Sequence, residues 1–118
     1  MVLALHEQQL AEHGGSPGIR DEGLLSSALD RPKNLFGYGE PDLCGLAASY
    51  GFGLAKNHPF MDGNKRASYI VARTFLIVNG HDFDATQIEK ATTWLSLASG
   101  ELSEDALAAW LQAHLVSR

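Results

Sequence analysis

Nine consecutive residues, His58-Pro59-Phe60-Met61-Asp62-Gly63-Asn64-Lys65-Arg66, hold the groups that phosphate chemistry uses: an imidazole, a carboxylate, a glycine, an amide and two cations. A long apolar run follows at once, so the end of this stretch opens a helix. The N–H groups of a helix's first turn have no intrahelical acceptor, and the dipole is positive at that end. Gly63, Asn64, Lys65 and Arg66 would therefore make an anion site suited to phosphate. His58 would stand just outside, in reach of whatever attacks that phosphate, and Asp62 could hold a divalent cation against it. Each residue also has a plainer explanation. A histidine before a proline in a loop is more often structural than catalytic. Asp62 could simply cap the helix, and Lys65 and Arg66 could be solvated charges. Phe60 reads as an anchor that buries its ring and fixes the loop in either case. The combination tips the balance, because structural needs alone favour acidic residues at a helix N-terminus and two cations stand there instead.

The rest of the chain must position this stretch. At 118 residues it is expected to be a single domain, residues 1–118, with one hydrophobic core. With 45% hydrophobic and 19% charged residues it has the composition of an ordinary globular protein. A net charge of -5 argues against direct, broad nucleic-acid binding, which needs many phosphate-neutralising cations. Lys56, Lys65 and Arg66, from a total of nine lysines and arginines, nevertheless crowd together, so the positive charge is focused. The single Cys44 cannot form an internal disulfide. The start of the chain lacks the basic opening of a signal peptide, and no apolar run approaches the ~20 residues of a membrane span, so a cytoplasmic protein is expected.

Apolar spacing predicts a helix over residues 2–13, stopped by Gly14-Gly15, and a second over 22–31, capped by Asp21 and ended by Pro32. Residues 33–40, with two glycines and two aromatics, read as an exposed loop that could serve as a lid. Pro41 suits the first turn of a third helix carrying Leu43, Leu46, Ala47, Tyr50 and Leu54 on one face. Gly45, Gly51 and Gly53 within it suggest close approach to a neighbour, expected to be the fourth helix. That helix, over about 63–79, is nearly apolar all round apart from Arg73, as a buried central helix should be, and Gly80 closes it. Asp84 and Gln87 fit a capping box for a fifth helix, with Ile88, Ala91, Leu95 and Ala98 inward. Ser103 caps a sixth, whose apolar set is Ala106, Leu107, Trp110, Leu111, Ala113 and Leu115. Trp94 and Trp110 are expected in the core. At most residues 81–83 are extended, so the fold class is all-α, a compact six-helix bundle around the helix that follows the nine-residue stretch.

That stretch resembles the motif of the Fic/Doc family, whose Fic branch has the pattern H-x-F-x-[D/E]-G-N-G-R-x-x-R. His58, Phe60, Asp62, Gly63, Asn64 and Arg66 match at the family spacing. The chain departs at Lys65, where Fic has glycine, and at Tyr69, where Fic has a second arginine. Both departures point to the death-on-curing branch, Doc, as do the opening helix, the Gly-Gly-x-Pro-Gly turn at 14–18, the short length and the glycine-ended motif helix.

The resemblance implies a toxin of a type II toxin-antitoxin pair, a kinase-like transferase that moves a phosphate from ATP to a hydroxyl of a translation protein and arrests translation. In the Doc branch the usual target is a threonine of elongation factor Tu. By the same resemblance His58 would be the general base and Asp62 the ligand of magnesium. Gly63 and Asn64 would contact phosphate, and Lys65 and Arg66 would bind the nucleotide and neutralise charge in transfer. Alternatives are a Fic-type AMP transferase and a noncatalytic binding module. Some Fic proteins carry an inhibitory [S/T]-x-x-x-E-[G/N] helix; no such string occurs here. Restraint would then fall to a Phd-like antitoxin, whose disordered tail folds as a helix into a groove of the toxin.

Overall fold

A computed structural model describes residues 2–38 and 42–118. Six helices and a two-stranded ribbon make up the described residues: α1 (Val2–His13), α2 (Glu22–Tyr38), α3 (Leu43–Asn57), α4 (Asn64–Val78), β1 (His81–Phe83), α5 (Gln87–Ala98), α6 (Glu104–His114) and β2 (Leu115–Ser117). The all-α bundle expected from periodicity is the observed architecture. No described helix is long and apolar enough to cross a membrane.

α3 touches α2, α4, α5 and α6, whereas α4 touches α1, α3, α5 and β1, so these two helices share the middle of the molecule. Two buried clusters result. Cys44, Ala47, Ala48 and Ala55 of α3 meet Ala72 and Leu76 of α4, Trp94 and Leu97 of α5, and Leu107 and Leu111 of α6. A second cluster, of Leu25, Ala28, Leu54, Ala67 and Val71, closes around Phe60. Small residues let the backbones come close. A Cβ on Gly51 would meet Ser68 and Ala72 of α4, as expected, but one on Gly53 would lie 3.3 Å from Ala28 of α2. α3, α4 and α5 are also tied by buried polar bonds: Ser68 Oγ donates to the Gly51 carbonyl at 2.6 Å and accepts from Trp94 Nε1 at 3.0 Å. Cys44 is buried, and burial, helped by Asp42, pushes its thiol pKa up, which suits packing rather than reactivity.

Several expectations are corrected. Pro32 does not end the second helix, which continues to Tyr38, so the exposed loop read over 33–40 is helical as far as that residue; residues 39 and 40 lie outside the described ones. Pro32 is buried and lines a hollow with Leu46 and Tyr50 of α3. Packing of its ring outweighs the one helical hydrogen bond it cannot donate. Pro41 also lies outside the described residues, and α3 starts at Leu43 under an Asp42 cap that accepts from Gly45 N–H at 2.6 Å. The capping box of α5 is Thr86 with Glu89, not Asp84 with Gln87. The inward face of α5 is also different: Ile88 and Leu95 are 79% and 61% exposed, while Trp94 and Leu97 are buried. Leu115 leaves α6 for β2, where it pairs antiparallel with Phe83. Trp94 belongs to the core as expected, and Trp110 packs against its edge.

Candidate active site

α3 ends at Asn57, and His58 turns the chain with a left-handed backbone, φ 49° and ψ 54°. Such a conformation costs a non-glycine residue of order 1 kcal/mol or more and persists only where the surroundings impose it. Here Arg20 imposes it. Its Nε donates to the His58 carbonyl at 2.7 Å and its Nη2 to the Asn57 carbonyl at 3.0 Å. The segment between α1 and α2 then runs beside the loop as a short ladder. Arg20 and Asp21 N–H donate to the Pro59 carbonyl, Met61 N–H donates to the Gly18 carbonyl, and Ile19 pairs with Phe60.

Phe60 is 1% exposed, as an anchor should be. Its ring stacks on His6 of α1 at 3.7 Å between centroids, and His6, itself buried, donates from Nε2 to the Asp62 carbonyl at 2.7 Å. Asn64 clamps the loop from the other side: its Oδ1 accepts from Phe60 N–H at 2.9 Å and its Nδ2 donates to the Phe60 carbonyl at 3.1 Å. The Asn64 amide is thus engaged with the loop's own backbone, and what this residue offers to a ligand is its main-chain N–H.

α4 begins at Asn64 with Gly63 as N-cap, φ 75°, and no side chain caps it. Ala67 N–H is bonded to the Gly63 carbonyl, so the N–H groups of Asn64, Lys65 and Arg66 have no carbonyl within the helix. The first turn contains no acid. Lys65 and Arg66 are exposed and make no ion pair among the described residues.

These groups line one open cleft of about 530 Å³, bounded by His58, Met61, Asp62, Gly63, Asn64, Lys65 and Arg66, with His13, Gly14 and Gly15 opposite. Every site residue inferred from the sequence except Phe60 reaches this cleft, and Phe60 lies beneath it. Asp62 does not cap α4; its Oδ1 accepts from the Gly63 N–H at 2.8 Å and its Oδ2 from Ser16 N–H at 3.4 Å, leaving lone pairs free on both oxygens. Among the described residues no three acidic, histidine or cysteine side chains gather into a metal cage. A lone exposed carboxylate suits magnesium, which takes most of its ligands from phosphate oxygens and water.

Sequence reasoning did not single out His6, Gly15 or Arg20. A Cβ on Gly15 would stand 2.9 Å from Asp62 Oδ2, so this glycine leaves the carboxylate its place. The Gly-Gly-x-Pro-Gly string was visible, but nothing in it indicates that it packs on a loop more than forty positions away.

The Fic/DOC family model matches residues 1–76, a stretch that takes in α1, α2, α3 and the whole loop and reaches into α4. Protein kinase doc of Escherichia phage P1 is 33% identical over 109 residues, covering 91% of this chain and 85% of that protein. Toxin Doc of Mycolicibacterium smegmatis is 38% identical over 104 residues, covering 83% of this chain and 78% of its own length.

Proposed function

The chain belongs to the Fic/DOC family, and from that premise we propose that it is a Doc-like toxin that transfers the terminal phosphate of ATP to a protein hydroxyl. The observation that carries this reading is Lys65, an exposed cation without an ion partner among the described residues, at an uncapped helix start in the same cleft as His58. Triphosphate supplies the charge that Lys65, Arg66 and the three N–H groups of the first turn would neutralise.

In the reaction, His58 takes the proton of the acceptor hydroxyl as its oxygen bonds to the γ-phosphorus. The bond from that phosphorus to the bridging oxygen breaks, and ADP leaves. Magnesium, held by Asp62 and phosphate oxygens, would supply charge neutralisation at the phosphates. Lys65 and Arg66 stabilise charge on the transferred group and on the leaving diphosphate. Position 69, an arginine in the Fic pattern, is a tyrosine whose ring packs edge-on against Phe83 and Trp94, so it adds no cation for an AMP transfer.

The expected acceptor is a threonine of elongation factor Tu, with arrested translation in the cytoplasm as the outcome, and the expected restraint is a Phd-like antitoxin. Incubation with magnesium, elongation factor Tu and γ-labelled ATP should label the factor, whereas α-labelled ATP should not. Label from the α-position alone would replace this reading with AMP transfer. His58→Ala should slow transfer by about 100- to 10,000-fold, the usual worth of a general base. The same variant, expressed without antitoxin, should be harmless; toxicity equal to the parent's would favour a noncatalytic module.

A further inference from the structure

His58 lines two clefts, and only one of them contains the anion site. The second, of about 500 Å³, lies between the last turn of α3 and the turn joining α5 to α6, and His58 is the one described residue common to both. Its floor is apolar: Ala55 and Leu97 are buried, and Phe52 and Leu102 are half-buried. Lys56 stands at its rim, exposed, with Nζ 5.6 Å from the centre of the Phe52 ring and no carboxylate partner among the described residues. The other cation on that ring, Arg31, is already paired with Glu104.

In-line phosphoryl transfer fixes which side the acceptor must use. The nucleophile approaches the phosphorus opposite the leaving group, and the base must reach the nucleophile's proton without standing between it and the phosphate. With phosphates over the start of α4, the hydroxyl must lie between His58 and the γ-phosphorus, and the rest of the segment that carries it must reach that point past His58. The second cleft shares His58 with the first and offers that approach.

We propose that the groove bounded by Phe52, Ala55, Lys56, Leu97 and Leu102 is the acceptor site, which seats a short extended segment of the target protein. That segment presents its hydroxyl to His58, rests an apolar side chain on the Ala55–Leu97 floor, and carries a carboxylate near the hydroxyl for Lys56. A buried apolar floor supplies affinity, and Lys56, the one cation of a lining that also holds the exposed Glu101, supplies register and preference for a carboxylate. This inference rests on the phosphotransfer reading above.

The test is steady-state transfer of γ-label to elongation factor Tu by the parent, Lys56→Glu and Lys56→Gln proteins, varying ATP and the acceptor separately. Lys56→Glu should raise KM for the acceptor by at least tenfold, Lys56→Gln by less, and both should leave KM for ATP as in the parent. That unchanged value also reports an intact fold, and Lys56 is exposed enough to be replaced without loss of packing. An unchanged KM for the acceptor in Lys56→Glu overturns the proposal. So does a rise in KM for ATP alone, because Lys56 would then serve the nucleotide. Failure of the parent itself to transfer label would sink the phosphotransfer reading instead, so the two failures are distinguishable.

Discussion

The loop proposed to carry the chemistry is held by residues that line none of its cleft. Buried His6 supports it twice, through the stack on Phe60 and through the bond to the carbonyl of Asp62, the residue proposed to meet magnesium. Losing a buried hydrogen bond costs about 1–3 kcal/mol and losing an aromatic pair about 0.5–1.5 kcal/mol, so His6→Ala should destabilise the fold by roughly 2–4 kcal/mol. His6→Asn keeps a donor but loses the ring. It should recover part of the activity that His6→Ala loses while remaining less stable than the parent. Denaturation midpoints with transfer rates would check both, and equal activity of the two variants would remove the bond from the account. His58, Asp62, Lys65 and Arg66 were legible because they lie within nine positions, so their meeting owes little to the fold. His6 and Arg20 lie 56 and 38 positions from their partners. A histidine on an opening helix and an arginine in a linker carry no local mark of such a task.

At the level of elements, the helices were readable from apolar spacing, while the faces they bury depended on tertiary contact. α5 shows this best. Ile88, Ala91, Leu95 and Ala98 form one stripe, and Trp94 with Leu97 form a narrower one; the narrower stripe is buried. Its tryptophan reaches Ser68 of α4 and stacks with Phe83, so area and a satisfied indole N–H decide the rotation of the helix. The start of the helix is set locally. Thr86 accepts from Glu89 N–H at 3.1 Å, and Glu89 returns the bond to Thr86 N–H at 3.1 Å. Thr86→Ala should therefore cost about 1 kcal/mol, the usual worth of an N-cap, whereas Asp84→Ala should cost less than about 0.5 kcal/mol. Urea titrations of the two variants would settle it; a larger loss at Asp84 would return the cap to the place that sequence pattern alone suggests. Pro32 shows the same limit, since a helix breaker by local preference becomes a packed residue once α3 lies beside it.

The whole molecule is closed by a contact between its middle and its end. Asp82 on β1 is buried and accepts from Arg73 of α4 through two bonds of 3.1 Å, from Arg118 beyond β2 at 2.7 Å, and from Phe83 N–H at 2.8 Å. Arg73, the one cation in an otherwise apolar run of α4, thereby acquires its reason. Burial alone would raise the pKa of Asp82, but the hydrogen bonds from Arg73, Phe83 N–H and Arg118 outweigh it and hold the carboxyl below its ordinary value. A carboxyl depressed in this way adds stability that is fully present above its unfolded value, about 4, and is lost as pH falls through the folded value. Asp82→Asn should accordingly destabilise the protein at pH 7 by roughly 1.5–3 kcal/mol, the range for hydrogen bonds to a charged group, because both arginines lose their counter-charge. The gap between parent and variant should begin to narrow as pH drops below about 4, where the unfolded chain takes up the proton, and close only below the depressed folded value, where the folded parent's carboxyl also becomes neutral. Thermal midpoints of both proteins between pH 3 and pH 7 would measure this. A gap that stayed constant across that range would mean that Asp82 acts by shape and not by charge. Because Asp82 is not among the residues that line the cleft and bonds Arg73, about two turns along α4 from Arg66, ATP affinity at pH 7 should be the same in both proteins, which separates the brace that holds the fold from the cleft proposed to do the chemistry.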